Sequence, residues 1–503
     1  MAARQRWPGP RAGTTRFRRT GTARFRAVRR GLAGCLAAIA LVALSACTGT
    51  AGPEPSSGPP ALHSCEQVAC TGVLDGAAYE ILLPRGAWNG TLLLFSHGYR
   101  AAQPWPPAFA PVSTEPEPAP GWSSGRREIG QQLLDAGYAL AGSAYPANGW
   151  AVADGVAAGA SLIDFFRTQV GTPQRVYGWG ESLGGLITVE LAEREPELLQ
   201  GAVAVCAPLA GVVPLFDLGL DVAYGVRQLL VPSLQLTGFA SYADAVSALS
   251  AAATAVMQAA RDPAGPGGAT LLLLDALGDG PTRTLNFDGH DRSSQVSAAA
   301  ETVVGALAYG TVGRYEVEQR LGGNLSGNVG TDYAARVTAA EAAVIDASDA
   351  GATQRALAAL AGGARVAADP AAVRAAASLG DPQGDLTLPL VTVHTAADPV
   401  VIVPNETWYR TRAEAAGAAD RLRQYVTVPP ASYPQQPGAP YGAGHCNVTD
   451  QTWTGAVNLL DSWVRSGVAP TDSQATAAFG PDSGLDPAYV LPPWPAGDPT
   501  VQP

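Results

Sequence analysis

Residues 175–206 read RVYGWGESLGGLITVELAEREPELLQGAVAVC. Residues 175–179 have the composition of a short buried strand. Gly180-Glu181-Ser182-Leu183-Gly184 then follows the pattern G-x-S-x-G, and Leu183, Leu186, Ile187 and Leu191 recur at helical spacing until Pro196. With the apolar run up to Cys206, the stretch predicts strand, sharp turn, helix, strand. A serine on such a turn takes a strained backbone, and flanking glycines remove the Cβ atoms that would collide where strand meets helix. The pattern therefore predicts Ser182 as a nucleophile held above the strand ends. It also predicts the Leu183 amide, at a helix start where N–H groups are free, as an oxyanion donor. In a chain with 58 glycines the bare pattern occurs by chance, and the flanking strand and helix are what give it content.

On these residues the chain resembles serine hydrolases of the α/β-hydrolase superfamily, over residues 72–467 with a large insertion. The resemblance implies an α/β fold: a doubly wound, mostly parallel sheet with a mainly helical cap or lid between the sixth and seventh core strands. Working upstream, residues 79–83 and 91–95 read as strands, the second leading into Ser96-His97-Gly98-Tyr99. In the superfamily a His-Gly at this point opens the loop that supplies the second oxyanion amide, here Gly98 or Tyr99. The His97 side chain is expected to brace that loop. A Pro-rich stretch at 101–126 is a candidate pocket wall. A helix around 128–136, a strand at 138–143 and a helix at 154–166 complete the alternation that predicts a parallel sheet, with its site at the carboxyl ends of the strands. Tyr145 falls at one of those ends.

Downstream of Cys206 the alternation stops. Residues 208–386 are dominated by Ala, Leu, Gly and Val in helical pieces such as 243–261 and 333–347, and the apolar run 270–274 is open to a strand reading. The polar turn at 322–328 and His290 are expected to be solvated. The core resumes with a strand at 390–394, followed by Thr395-Ala396-Ala397-Asp398-Pro399. The resemblance places the triad acid here, at Asp398, and His394 inside the strand is expected to be a packed core histidine. A helix at 406–419 and a strand at 424–428 lead to Tyr441-Gly442-Ala443-Gly444-His445-Cys446, where the resemblance places the general base, His445. The order Ser182, Asp398, His445 is the one expected of this fold. An amphipathic helix at 453–464 closes the core.

The first 30 residues carry ten arginines and no acid, an apolar segment follows to residue 46, and Leu44-Ser45-Ala46-Cys47 ends it. This reads as a signal peptide over 1–46. L-S-A-C also resembles a bacterial lipoprotein signal, which implies lipidation at Cys47 and anchoring to the outer face of the cytoplasmic membrane; plain secretion is the alternative. The organisation expected is signal 1–46, tether 47–64, core 65–207, cap 208–386, core 387–467 and a Pro/Gly-rich tail 468–503. Without the signal, 22 arginines face 43 acids, a net charge of −21 that argues against nucleic acid or anionic lipid as partners. No Cys/His spacing suits a metal, no cofactor is required, and the oligomeric state is left open.

Of the remaining cysteines, Cys65 and Cys70 are expected to close a small disulfide loop in an exported protein. Cys206 ends the sixth strand, under the path by which the His445 loop reaches back towards Ser182, which predicts a Cys206–Cys446 disulfide. Tannase-like and feruloyl-esterase-like hydrolases resemble this, but they tie the residue after the histidine to a cysteine beside the serine; that neighbour is Glu181 here. The function expected is hydrolysis of a small carboxylic ester through a Ser-His-Asp triad and an acyl-enzyme. The alternatives are a peptidase acting on short peptides and a catalytically silent surface binding lipoprotein.

Overall fold

The computed structural model describes residues 62–106 and 109–495. The expected signal peptide, Cys47 and nearly all of the tether lie outside the described residues. Eight strands form one sheet: β1 (Thr71–Leu74), β2 (Ala77–Leu82), β3 (Thr91–Ser96), β4 (Ala139–Ser143), β5 (Arg175–Glu181), β6 (Gly201–Val205), β7 (Leu390–Thr395) and β8 (Leu422–Thr427). Their order is β1-β2-β4-β3-β5-β6-β7-β8. The pairs from β4 through β8 are parallel and the two at the β1 edge antiparallel. This is the α/β-hydrolase fold.

The strand sequences explain the layering. β3, β4, β6 and β7 are buried along their whole length, as strands covered on both faces must be. Alternate side chains serve opposite layers. Leu92 and Leu94 pack with α2 (Val152–Phe165) and α3 (Leu183–Arg194), while Leu93 and Phe95 pack with α1 (Glu128–Asp135) and the C-terminal helices.

Between β6 and β7 the described residues form helices: α4 (Val212–Leu229), α5 (Tyr242–Ala259), α6 (Pro266–Leu277), α7 (Arg292–Ala308), α8 (Arg314–Leu321), α9 (Ala339–Asp346), α10 (Ala352–Gly362) and α11 (Pro370–Ala376). They bury a core of their own, built on residues such as Leu220, Leu249, Leu273 and Val303. Residues 270–274, open to a strand reading, lie inside α6, where Leu271, Leu273 and Leu274 are fully buried against helices. A short apolar run has no period long enough to separate the two states. The helix expected over 333–347 is two pieces, because Thr338 caps α9 with Glu341 in a capping box and so restarts the helix. The polar turn at 322–328 is structural, not solvated: Asn324 accepts from the fully buried Arg314 at 2.9 Å, and Gly327 N–H donates to Asp217 at 2.9 Å.

After β7 come α12 (Pro404–Ala415), β8, α13 (Asp450–Ser466) and α14 (Asp472–Phe479). Residues 468–495 of the expected tail pack onto the core. Thr471 and Gln474 form a capping box on α14, Phe479 is buried against Tyr425, and Trp494 packs edge-on against Trp408. Cys65 and Cys70 are joined as a disulfide. No helix among the described residues is long and apolar enough to cross a membrane.

Candidate active site

Ser182 sits between β5 and α3 with φ 53° and ψ −127°, a conformation non-glycine residues rarely adopt. The flanking glycines are obligatory on steric grounds. A Cβ on Gly184 would lie 1.9 Å from the Ser96 carbonyl oxygen, and one on Gly180 would lie 2.3 Å from the Gly184 carbonyl oxygen. The turn is pinned by Ser182 N–H donating to the Val205 carbonyl at 2.8 Å.

The other two candidates arrive from the far side of the sheet. Asp398 leaves β7 and His445 lies in the loop between β8 and α13. The two loops are laced together: Gly444 N–H donates to the Ala397 carbonyl at 2.8 Å, and Thr395 Oγ1 donates to the Gly444 carbonyl at 2.8 Å. His445 Nε2 is then 2.8 Å from Ser182 Oγ, and its Nδ1 is 2.8 Å from Asp398 Oδ2. Asp398 Oδ1 accepts from Val400 and Val401 N–H, each at 2.9 Å. Burial works against a charge on His445, but the Asp398 carboxylate outweighs it and raises the imidazole to about 8. Burial likewise opposes the Asp398 charge, and His445, His394 and the turn amides more than offset it, holding the carboxyl below its ordinary value. Asp461, on α13, is engaged elsewhere, by Tyr177 at 2.9 Å and Arg465 at 2.7 Å.

The backbone N–H groups of Leu183, Gly98 and Tyr99 donate no hydrogen bond among the described residues. Gly98 lies against Ser182, since a Cβ there would be 3.3 Å from Ser182 Cβ. His97 braces the loop, as expected: its Nδ1 lies 2.7 Å from the Gly98 carbonyl, and its ring stacks at 4.0 Å on Tyr145. Burial, reinforced by Arg100, pushes His97 down to about 3, so it is neutral. His290 is exposed, beside Asp288 and Asp291.

The expected Cys206–Cys446 disulfide is not formed. Both are free thiols. They come together as the strand order requires, and Cys446 Sγ lies 3.7 Å from the Val205 carbonyl, the residue before Cys206. The pinning of the histidine loop that a covalent bond would supply comes instead from the hydrogen bonds of Gly444 to the acid turn.

Over these residues opens a cavity of about 640 Å³. One wall is apolar and aromatic: Phe216 from α4, Tyr309 just beyond α7, Trp150 before α2, and Leu285. The other is polar, with Glu181, Arg126 and Asn447. Arg126, from the Pro-rich stretch expected to form a wall, is paired with Asp450. Glu181 makes no side-chain hydrogen bond or ion pair among the described residues, and burial, with Glu117 nearby, raises its carboxyl to about 7. Among the described residues no group of three His, Cys, Asp or Glu side chains is arranged to hold a metal ion.

No protein-family model and no curated protein sequence matches the chain. Solved structures do. They include an esterase from Aspergillus oryzae, at 14% identity over 78% of this chain and 78% of that one, with a TM-score of 0.34. A serine hydrolase from Cycloclasticus zankles is similar at 13% identity over 79% of this chain and 98% of that one, with a TM-score of 0.33. A proline iminopeptidase from Mycobacterium smegmatis is similar at 14% identity, over 80% and 96%, with a TM-score of 0.30.

Sequence reasoning missed the aromatic wall and the environment of His394. Phe216 and Tyr309 lie in helices rich in Ala, Leu and Gly, where an aromatic residue facing a cavity has the same local pattern as one facing a core. Glu181 carried one usable signal, a charged side chain next to a buried turn.

Proposed function

We propose that the chain is a serine hydrolase that cleaves a small carboxylic ester in two acyl-transfer steps. The observation that carries this reading is the hydrogen-bonded chain Ser182, His445, Asp398, with 2.8 Å at both links. His445 Nε2 takes the Ser182 proton as Oγ attacks the carbonyl carbon. Asp398 holds the imidazole in the required tautomer and stabilises the imidazolium. The oxyanion is received by Leu183 N–H and by Gly98 or Tyr99 N–H. His445 then gives its proton to the leaving alcohol, and water, activated by the same imidazole, releases the acid. An ester is favoured over a peptide because Phe216, Leu285 and Trp150, whose Nε1–H already donates to the Leu379 carbonyl, line one side of the cavity and offer little to a peptide's N–H and C=O groups.

The test is a panel of p-nitrophenyl esters beside aminoacyl and peptidyl anilides, with fluorophosphonate labelling. Ester turnover lost by several orders of magnitude in Ser182→Ala, together with loss of labelling, is the expected result. Anilides cleaved in preference to esters would replace the ester reading by the peptidase one. Absence of labelling in the unmutated protein would favour a binding protein. We further propose export, with anchoring through a lipidated Cys47. Membrane partition lost in Cys47→Ala supports it, and recovery of the unmutated chain as a soluble protein with another N-terminus overturns it.

A further inference from the structure

His394 lies in the middle layer of the molecule, in β7, with no exposed surface. Its Nδ1 is 3.2 Å from Glu406 Oε1 and its Nε2 is 2.8 Å from the Val401 carbonyl oxygen. The same Nε2 is 3.9 Å from Asp398 Oδ2. All three oxygens are acceptors. A neutral imidazole has one N–H and one lone pair, so in either tautomer one nitrogen would direct a lone pair at an oxygen lone pair. Glu406 Oε2 receives Thr392 Oγ1 at 2.6 Å and Gln424 Nε2 at 2.5 Å, two donors that favour its carboxylate over an acid form that would donate from Oε1 to the ring. Protonation of both ring nitrogens satisfies every group.

We infer that His394 is a buried imidazolium, held by Glu406, that acts as a positioning residue for Asp398. The inference rests on the reading of Asp398 as the triad acid. Two consequences follow from the geometry. Through the Val401 carbonyl, His394 fastens the turn whose Val400 and Val401 amides hold Asp398 Oδ1. Through its charge it stands behind the Asp398 carboxylate, with His445 in front. That carboxylate is shared between two imidazoles, so its pull on the His445 proton is weakened and His445 is a weaker base than with Asp398 alone.

The charged and titratable groups facing His394 are Glu406 from α12, Asp398 from the turn after β7, Cys206 from the end of β6 and, across Asp398, His445. Burial opposes its charge, but the Glu406 contact, the Cys206 sulfur and the Asp398 carboxylate outweigh this and hold His394 up to about 9. His394 is thus charged across the range in which His445 titrates.

The chain has five histidines, which makes ring-labelled NMR of the whole protein tractable. At about pH 7.5 both ring nitrogens of His394 should show protonated shifts. In His394→Gln and in Glu406→Gln, which keeps the histidine but removes its counter-charge, the His445 titration should move up by roughly 0.5–1 pH unit. The acid limb of kcat/KM should move with it. Ester hydrolysis in both variants should then be several-fold lower near neutral pH and recover above about pH 9. A merely structural role would lower activity at every pH and leave the limb in place. A neutral His394 in the unmutated protein, or an unmoved His445 titration in the variants, overturns the inference. The NMR titration needs no turnover, so it stands apart from any failure of the esterase assay.

Discussion

Ser182, Tyr145, Cys206 and Cys446 all have positive φ, at 53°, 58°, 49° and 52°, and all four surround the site. Each such conformation costs roughly 1–3 kcal/mol in a non-glycine residue, so the surrounding contacts must hold them. At this scale the proposed triad makes two predictions. Asp398→Asn should lower turnover by about 10⁴ while labelling of Ser182 becomes slow, because an amide cannot select the required tautomer of His445. Full activity in that variant, measured on the best ester of the panel, would mean that another carboxylate is the acid. The second concerns pH. His445 must be neutral to accept the Ser182 proton, and Asp398 raises it to about 8. Activity should therefore rise with pH through an acid limb near that value, and a limb near the ordinary histidine value would show that the Asp398 contact is not kept in solution.

At the scale of elements, the elbow depends on how closely β5, α3 and the end of β3 approach one another. The Gly184 position has the Ser96 carbonyl oxygen 1.9 Å from where a Cβ would stand, and backbone cannot move aside as a side chain would. Gly184→Ala should abolish turnover. Thermal unfolding should also fall, as expected when a new methyl displaces packed backbone. Gly86→Ala makes the control, because a Cβ there meets nothing within 4 Å. Equal effects of the two substitutions would sink the steric account. The histidine loop has a different device: it is tied to the turn after β7 by the Gly444 N–H to Ala397 and Thr395 Oγ1 to Gly444 hydrogen bonds, so His445 and Asp398 are held as one unit.

At the scale of the whole molecule, burial raises the carboxyls of Glu181, Glu190, Asp217 and Asp279 to about 7. A carboxyl with a folded-state value above its unfolded one binds protons more tightly when folded. Stability is therefore gained as pH falls through about 7, towards the unfolded carboxylate range near 4. His394 and His445, raised in the folded state, act in the same direction, their stabilisation being lost as pH rises through about 9 and 8. His97, held down to about 3, opposes this as pH falls below the ordinary histidine value, but the raised carboxyls outnumber it, so thermal midpoints should increase between about pH 8 and pH 5. A midpoint that increases steadily with pH over that range would contradict this balance.

The elbow and the strand alternation before it were legible in the sequence, because each is written in local spacing: a G-x-S-x-G turn and a strand period; Asp398 and His445 were proposed through the resemblance to the superfamily, which supplies the order in which such residues occur. The helical character of the insertion was legible for the same reason, although residues 270–274 were not, since a short buried run looks alike in helix and strand. What only the tertiary structure decided depends on residues far apart in the chain. Phe216, Tyr309 and Trp150 form one wall because the insertion folds back over the sheet, and no local period records that. His394 looked like a packed core residue from its place in β7; its charge follows from Glu406 twelve residues on and the Val401 carbonyl, whose direction no spacing encodes. Cys206 and Cys446 were brought together by strand order, yet proximity alone does not set their bonding, and both are free thiols.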